Sequence, residues 1–453
     1  MSGTTSRYLQ LRPDNVDPNQ TISFKSGHPV LSFSIQSQNA ILDPRSIRIN
    51  GELSIFRNNT VPPLPVTNAD AIQITMDNRL GIFGMMDQLV IRHNKSKQIC
   101  ENIQHYNKYM STYLGMTSSL IGDLAGHLNE TCLIQPNSKS MFENVVCNGL
   151  KKSFSAHLPC GFLQSGNAIN LLPNSFGGFQ IEIHLSPDSN CLFTRDGTID
   201  GTVSDAHYEL SNLNLSCEVH DIPADQMAEM NSQTSGALEF NSISSLYTSI
   251  NTSNAQLQFN LGLKKLQSAF MTFIPSDYIN TLQQNGLATL YPSNSDETLV
   301  KFSRVQFLRG GKKYPVEFDM TGNTAAATNR SITGNNSGSF VTADSQLAKQ
   351  FAQSVIPEFM LDRSSFSNRN LNRDHTISGL NSITGYKQVP NGGASFGLGM
   401  RYSQYQSGQD FSAEQWGVSL DSDLTSDHPQ SVYLFFKARY VLAWNESGVQ
   451  IMK

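Results

Sequence analysis

The run Arg309-Gly310-Gly311-Lys312-Lys313 comes nearest in this chain to a phosphate-binding loop. Such a loop needs an upstream glycine and a Ser or Thr directly after its lysine, so that backbone N–H groups cradle phosphates and a hydroxyl reaches the metal. Both are missing, and the run reads as the basic tip of a β-hairpin. Asp196-Gly197-Thr198-Ile199-Asp200-Gly201 has too few carboxylates, too irregularly spaced, for a calcium loop. It reads as a pair of Asp-Gly turns. The ten His form no H-E-x-x-H and no i, i+4 pair. No G-x-S-x-G elbow and no cysteine-protease signature occurs. Trp416 and Trp444 have the type to line a sugar groove, but aromatics in strands are more often core. No catalytic, cofactor-binding or metal-binding residue is nominated, and no cofactor is implied.

Composition points the same way. The chain has 453 residues, too many for one ordinary core, and two domains fit the size. Charged residues make up 15%, against an average of about 25%. Asn, Ser, Thr and Gln fill the difference, as suits a β protein with many turns. A formal charge of −5 implies no general attraction to nucleic acid. The opening twenty residues are polar, and no apolar run approaches a membrane span, so synthesis in the cytosol without a signal peptide is expected. The six Cys lie in the first half without metal spacing and read as reduced, packed thiols.

The elements that would position any site are mainly strands. Ser431–Asn445 alternates with a period of two, with Val432, Leu434, Phe436, Ala438, Tyr440, Leu442 and Trp444 on one face. It reads as a long core strand. Tyr208–Val219 echoes it, since a shift of 225 residues carries Leu213, Leu215, Cys217 and Val219 onto Ala438, Tyr440, Leu442 and Trp444. That is the mark of two β domains on one plan. Further strands are expected at Pro29–Gln36, Ser46–Phe56 after an Asp43-Pro44 turn, Met86–His93, Phe154–Leu158 and Gly178–Leu185. In the second half they fall at Ala237–Asn241, Gln256–Leu263, Gln267–Ile274, Thr298–Leu308, Tyr314–Met320, Ser395–Tyr405 and Gln415–Leu420.

Helical spacing occurs in four places. Ile99, Ile103, Tyr106 and Met110 step by three or four. Ala224–Met230 follows Asp221 as N-cap and Pro223 in the first turn. Ser276 to Gln284 and Asp344 to Ile356 complete the set. The polar stretches Thr321–Ser339 and Asp362–Gly393 read as long loops. The domain division is therefore an N-terminal arm at 1–27, a first β domain at 28–221, a linker helix at 222–236 and a second β domain at 237–453.

Three stretches carry a family resemblance: Ile41–Phe56, Leu80–Leu114 with its Tyr106-Asn107 step, and the terminal Val432–Lys453. Together they make the chain resemble a double jelly-roll major capsid protein of eukaryotic DNA viruses, of the polinton-like virus and virophage type. The resemblance implies an all-β fold of two tandem eight-stranded antiparallel jelly rolls with short helices in inter-strand loops. It also implies homotrimeric, pseudo-hexagonal capsomers in an icosahedral virion, with penton and minor capsid proteins as partners. No sequence-specific nucleic-acid contact and no catalytic residue comes with it. Two other readings are an adhesin or carbohydrate-binding module, which wants an exposed aromatic groove, and a β-rich hydrolase or cupin, which wants converging carboxylates or histidines.

Overall fold

The computed structural model describes residues 5–17, 20–24, 29–57, 64–65, 74–76, 80–117, 151–194, 205–282, 286–287, 302–314, 320–321, 354–355, 397–402, 408–422, 424–445 and 448–453. The expected Asp-Gly turns at 196–201, the loops 322–339 and 362–393 and most of the 344–356 helix lie outside them.

Eight principal strands frame the first half, beside the short strands Leu64–Pro65, Ile74–Met76, Ile169–Asn170 and Leu192–Thr194: β1 Ser6–Leu11, β2 Val30–Ile35, β3 Ala40–Arg57, β4 Met86–His93, β5 Ile99–Gln104, β6 Lys152–His157, β7 Phe179–Leu185 and β8 Ala206–Asp221. A helix α1, Tyr106–Thr117, follows β5, and α2, Ala224–Ser232, follows β8. The second half repeats the set: β9 Gly236–Ile250, β10 Asn254–Phe259, β11 Leu263–Pro275, β12 Phe302–Arg309, β13 Lys312–Lys313, β14 Leu398–Arg401, β15 Trp416–Ser422 and β16 Gln430–Asn445. A last strand, β17 Gly448–Met452, turns back onto β16.

In the first half the sheet orders are β1-β8-β3-β6 and β2-β7-β4-β5. In the second they are β9-β16-β11-β14 and β10-β15-β12-β13. Adding eight to each strand number of the first half gives the second. All of these pairings are antiparallel. Each half is thus built around two four-stranded arrays with the crossovers of a jelly roll, and short strands such as Leu64–Pro65, Ile169–Asn170, Gln409–Phe411 and Met320–Thr321 pair onto them.

The alternation read in the sequence sets what is buried. Phe179, Ile181, Ile183 and Leu185 alternate inward on β7, and Leu213, Leu215, Cys217 and Val219 on β8. The counterparts Ala438, Tyr440 and Leu442 on β16 are buried, and Trp444 is half-buried. Gly51 on β3 is where Phe154 and Leu213 close over the strand; a Cβ there would lie 2.7 Å from Leu213 Cδ2.

Several expectations are corrected. Within the stretch expected as an N-terminal arm, the described residues Ser6–Leu11 pair along β8 from His220 to Leu215, and Ile22 bridges Leu210. Its polar side chains fit an exposed edge strand, whose backbone pairing needs no apolar run. Asp43-Pro44 makes no turn, since β3 runs through it, with an irregularity in the facing β8 ladder. Ile99 and Ile103 lie on strand β5 and only Tyr106 onward is helical. The apparent helical spacing spans a strand–helix junction at His105, whose φ is +53°. The cap of α2 is Pro223, without a side-chain bond, while the Asp221 carboxylate accepts from Arg7 Nε at 3.0 Å. The helix expected from Ser276 is one 3-10 turn, Ser276–Tyr278. The strand expected at Tyr314–Met320 lies mostly outside the described residues, and Met320–Thr321 at its finish pairs with β12.

The two rolls lie with like ends together. His105 and Tyr109, after β5, meet Tyr433 and Phe435 near the start of β16. At the other end Phe176, before β7, meets Trp444 at the finish of β16. One end of the pair is therefore where β3, β5 and β11 finish and the chain leaves for its long connections. The opposite end carries the short turns β2–β3, β4–β5, β10–β11 and β12–β13.

Candidate functional site

The most heavily built polar feature among the described residues is the seam between the rolls. It starts from β5. Glu101 lies opposite Ile91, and Ile103 opposite Leu89, so both point into the first roll. β5 is the edge of its sheet, and there the carboxylate reaches the second roll. Glu101 is only 3% exposed. Its Oε1 accepts from Ser242 Oγ at 2.9 Å, Gly161 N at 3.2 Å and Ile243 N at 3.3 Å, and its Oε2 from Phe162 N at 2.7 Å. Gly161 and Phe162 belong to the connection before β7, Ser242 and Ile243 to β9. One side chain thus fastens three segments and both rolls. Burial pushes its carboxyl above the usual range, and the donors of Phe162, Ser242, Ile243 and Cys160 pull it partly back.

Aromatic rings flank this carboxylate. Phe162 meets Phe240 edge-on at 5.6 Å, and Phe176 meets Trp444 at 5.6 Å. Tyr109 on α1 packs on Phe435 at 5.7 Å and Phe270 at 6.2 Å. Next to them Lys108 is buried; its Nζ donates to the Gly286 carbonyl and lies 5.6 Å from the centre of the Tyr433 ring. His105 sits between Tyr433, at 4.9 Å, and Tyr247, at 5.9 Å. Its pKa is lowered by burial first, then by Lys108, with Asp87 opposing. The Asn190 carboxamide oxygen accepts from Asn280 N at 3.0 Å across the same seam. These groups are built to hold two bodies rigidly, with the Glu101 carboxylate fully engaged and the rings interleaved, while Trp444 Nε1 is buried without a hydrogen-bond partner among the described residues.

Every residue considered for chemistry in the sequence has a place or lies outside the described residues. Gly310 and Gly311, with φ of +54° and +76°, form the β12–β13 turn that the basic run suggested. Arg309 is held by the Glu414 carboxylate and donates from Nη2 to the Asp410 carbonyl at 2.8 Å. Trp416 is fully buried, donating from Nε1 to Tyr402 Oη at 2.7 Å. Trp444 packs on Phe176 and over Gly236. Trp416 offers no face to a sugar, and Trp444 is half-buried by these contacts. Among the described residues no group of three or more His, Cys, Asp or Glu is placed to hold a metal ion. No helix among them is long and apolar enough to cross a membrane. Sequence reasoning missed Glu101 altogether. Its partners lie 60 to 142 positions away, and a single Glu in a short strand ordinarily reads as exposed.

No protein-family model and no curated protein matches the chain. Solved structures do. The Faustovirus major capsid protein aligns over 98% of this chain and 91% of its own, with 9% identity and a TM-score of 0.59. The Vp54 protein of PBCV-1, as fitted into a reconstruction of the virophage Sputnik, aligns over 100% and 98%, with 10% identity and a TM-score of 0.56. A structure of the Sputnik virophage itself aligns over 100% and 89%, with 10% identity and a TM-score of 0.54. The fold is the double jelly roll. These alignments run through both rolls.

Proposed function

We propose that the chain is a major capsid protein whose three copies close into a pseudo-hexagonal capsomer of an icosahedral shell. The observation that carries this reading is the seam. It joins the β5 side of one roll to the β9 side of the next, two different surfaces on two units of one plan. A contact of that head-to-tail kind repeats around a ring when the rotation closes. Two rolls per chain make three chains the number that gives six wedges. The exposed β1, with Tyr8 75% exposed, is the first-roll counterpart of β9 and the surface on which the ring would continue. Likeness to capsid proteins of double jelly-roll fold supports the same role, which is structural rather than catalytic.

On this reading residues 28–221, with the added strand β1, are the first roll, 222–236 the linker and 237–453 the second roll. The location is the virion, after cytosolic synthesis, and penton and minor capsid proteins are the further partners. The adhesin reading loses its motive with Trp416 in the core and Trp444 packed against Phe176 in the seam.

Light scattering of the purified chain tests the proposal. The expected mass is three times the 50.0 kDa of one chain, with three-lobed hexagonal particles in micrographs. Monomers across the micromolar range, with no particles on concentration, would sink it.

A further inference from the structure

Although the chain as a whole is acidic, its short-turn end is studded with lysines. The β4–β5 turn exposes Lys95 and Lys97, and the β12–β13 turn exposes Lys312 and Lys313 at the equivalent place in the second roll. Lys264 and Lys265, exposed at the start of β11, add to the second group. They run beside Gln409–Phe411, which Arg309 ties to the β12–β13 turn through the Asp410 carbonyl. These lysines are held outward by stiff turns. His93 fixes the first: its Nδ1 pairs with Ser96 at 2.8 Å, its Nε2 with the Phe176 carbonyl at 2.7 Å, and its carbonyl accepts from Lys97 N at 3.0 Å. In the second, Gly310 N donates to the Gln415 carbonyl at 2.9 Å.

We propose that this end, through Lys95, Lys97, Lys264, Lys265, Lys312 and Lys313, is a docking surface for an anionic lipid bilayer. The residue type favours lipid over nucleic acid. Ammonium groups are compact point charges, suited to diffuse headgroup phosphates and carboxylates. A nucleic-acid track would want arginines and aromatic platforms along a groove, whereas these lysines stand on separate convex turns. Acids are interspersed: Asp410 and Glu414 by the second turn, Asp225 and Glu229 on α2. Mobile anionic lipids can gather under each lysine pair and leave those acids unopposed, which a fixed rail of phosphates cannot. The same pair of lysines at the same turn of two rolls gives the surface two footholds on one plane. The proposal does not require the shell.

Co-sedimentation of the full chain with vesicles of phosphatidylcholine alone, and with phosphatidylserine added, tests it. Binding is expected only with phosphatidylserine and is lost as salt rises. A variant carrying Lys95→Glu, Lys97→Glu, Lys312→Glu and Lys313→Glu should bind more than about tenfold more weakly, with its melting unchanged. Lys151→Glu, at the long-connection end, should bind as the parent does. Equal binding to both vesicles, no binding to either, or full binding by the quadruple variant overturns the proposal. So does duplex DNA held at a salt concentration that releases phosphatidylserine vesicles. Mass measured on the same samples separates the two readings, since trimers that ignore vesicles refute only this one and vesicle-bound monomers refute only the capsomer.

Discussion

Gly161 lies so close to Asn241 that a Cβ on the glycine would come within 1.8 Å of the Asn241 carbonyl oxygen. The near atoms are backbone on both sides, so neither can swing away. Gly161→Ala should therefore force the rolls apart at the point where Glu101 binds both. Overpacking a fitted core costs about 1–3 kcal/mol, and a clash with backbone belongs at the top of that range. Calorimetry should show a lower, broader transition, or two transitions as the rolls melt separately. An unchanged single peak would mean that the seam yields without cost.

Removing the carboxylate that this contact protects should cost as much. Glu101→Ala leaves the donors on Phe162, Gly161, Ser242 and Ile243 facing a void. Each buried unsatisfied donor costs about 1–3 kcal/mol, so a loss above about 3 kcal/mol is expected in urea titrations. The pH dependence has a definite sign. A raised folded pKa means that the folded chain binds the proton more tightly than the unfolded chain. This contribution is fully present below 4.5, the unfolded value, and is lost as pH rises through the folded pKa. Glu101→Gln cannot titrate and should lose that part of the slope. Parallel slopes for parent and Gln variant would contradict it.

The buried thiols should be inert in the folded chain. Cys100, Cys160, Cys191 and Cys217 are all buried. Burial pushes Cys100 up to about 12 and Cys217 up to about 11, and raises Cys160 and Cys191 too. The thiolate is the reactive form. Alkylation at neutral pH followed by peptide mapping should leave these four unmodified until denaturant is added. Rapid labelling of any of them without denaturant would place it at the surface.

Deleting Val432–Lys453 should abolish soluble protein, because β16 pairs with β9, β11 and β17. Its buried Val432, Leu434, Phe436, Tyr440 and Leu442 each contribute roughly 1.5–3 kcal/mol. Deleting only Val449–Lys453 is milder but not neutral. β17 pairs with β16 from Val441 to Asn445, and Val449 is buried. A loss of about 2 kcal/mol is expected, read as an earlier unfolding midpoint. A soluble product without β16, melting with the parent, would make that strand an appendage.

Period-two strands were legible because one buried face writes itself into the sequence. Met86–His93 and the echo of β8 in β16 could be read residue by residue. Helix α1 was blurred because its first turn continues the apolar spacing of β5, and no residue before His105 signals the switch. β1 carries Tyr8 and Gln10 outward and buries little, so no pattern distinguished it from a tail. The seam was the least legible part. Residues 141 apart, such as Glu101 and Ser242, meet only after both rolls exist, and neither residue type announces a buried contact.

α2 gives the seam a different dependence on dilution from any contact between chains. A short tether holds its two ends at an effective concentration of about millimolar. The joint at Glu101 should therefore close whenever both rolls have folded, however little protein is present. Contacts made through β1 have no such tether and must wait for a second molecule. Early in synthesis, when copies are scarce, the species present would be paired rolls with open flanks. Ring closure would then be timed by the accumulation of chains rather than by their folding.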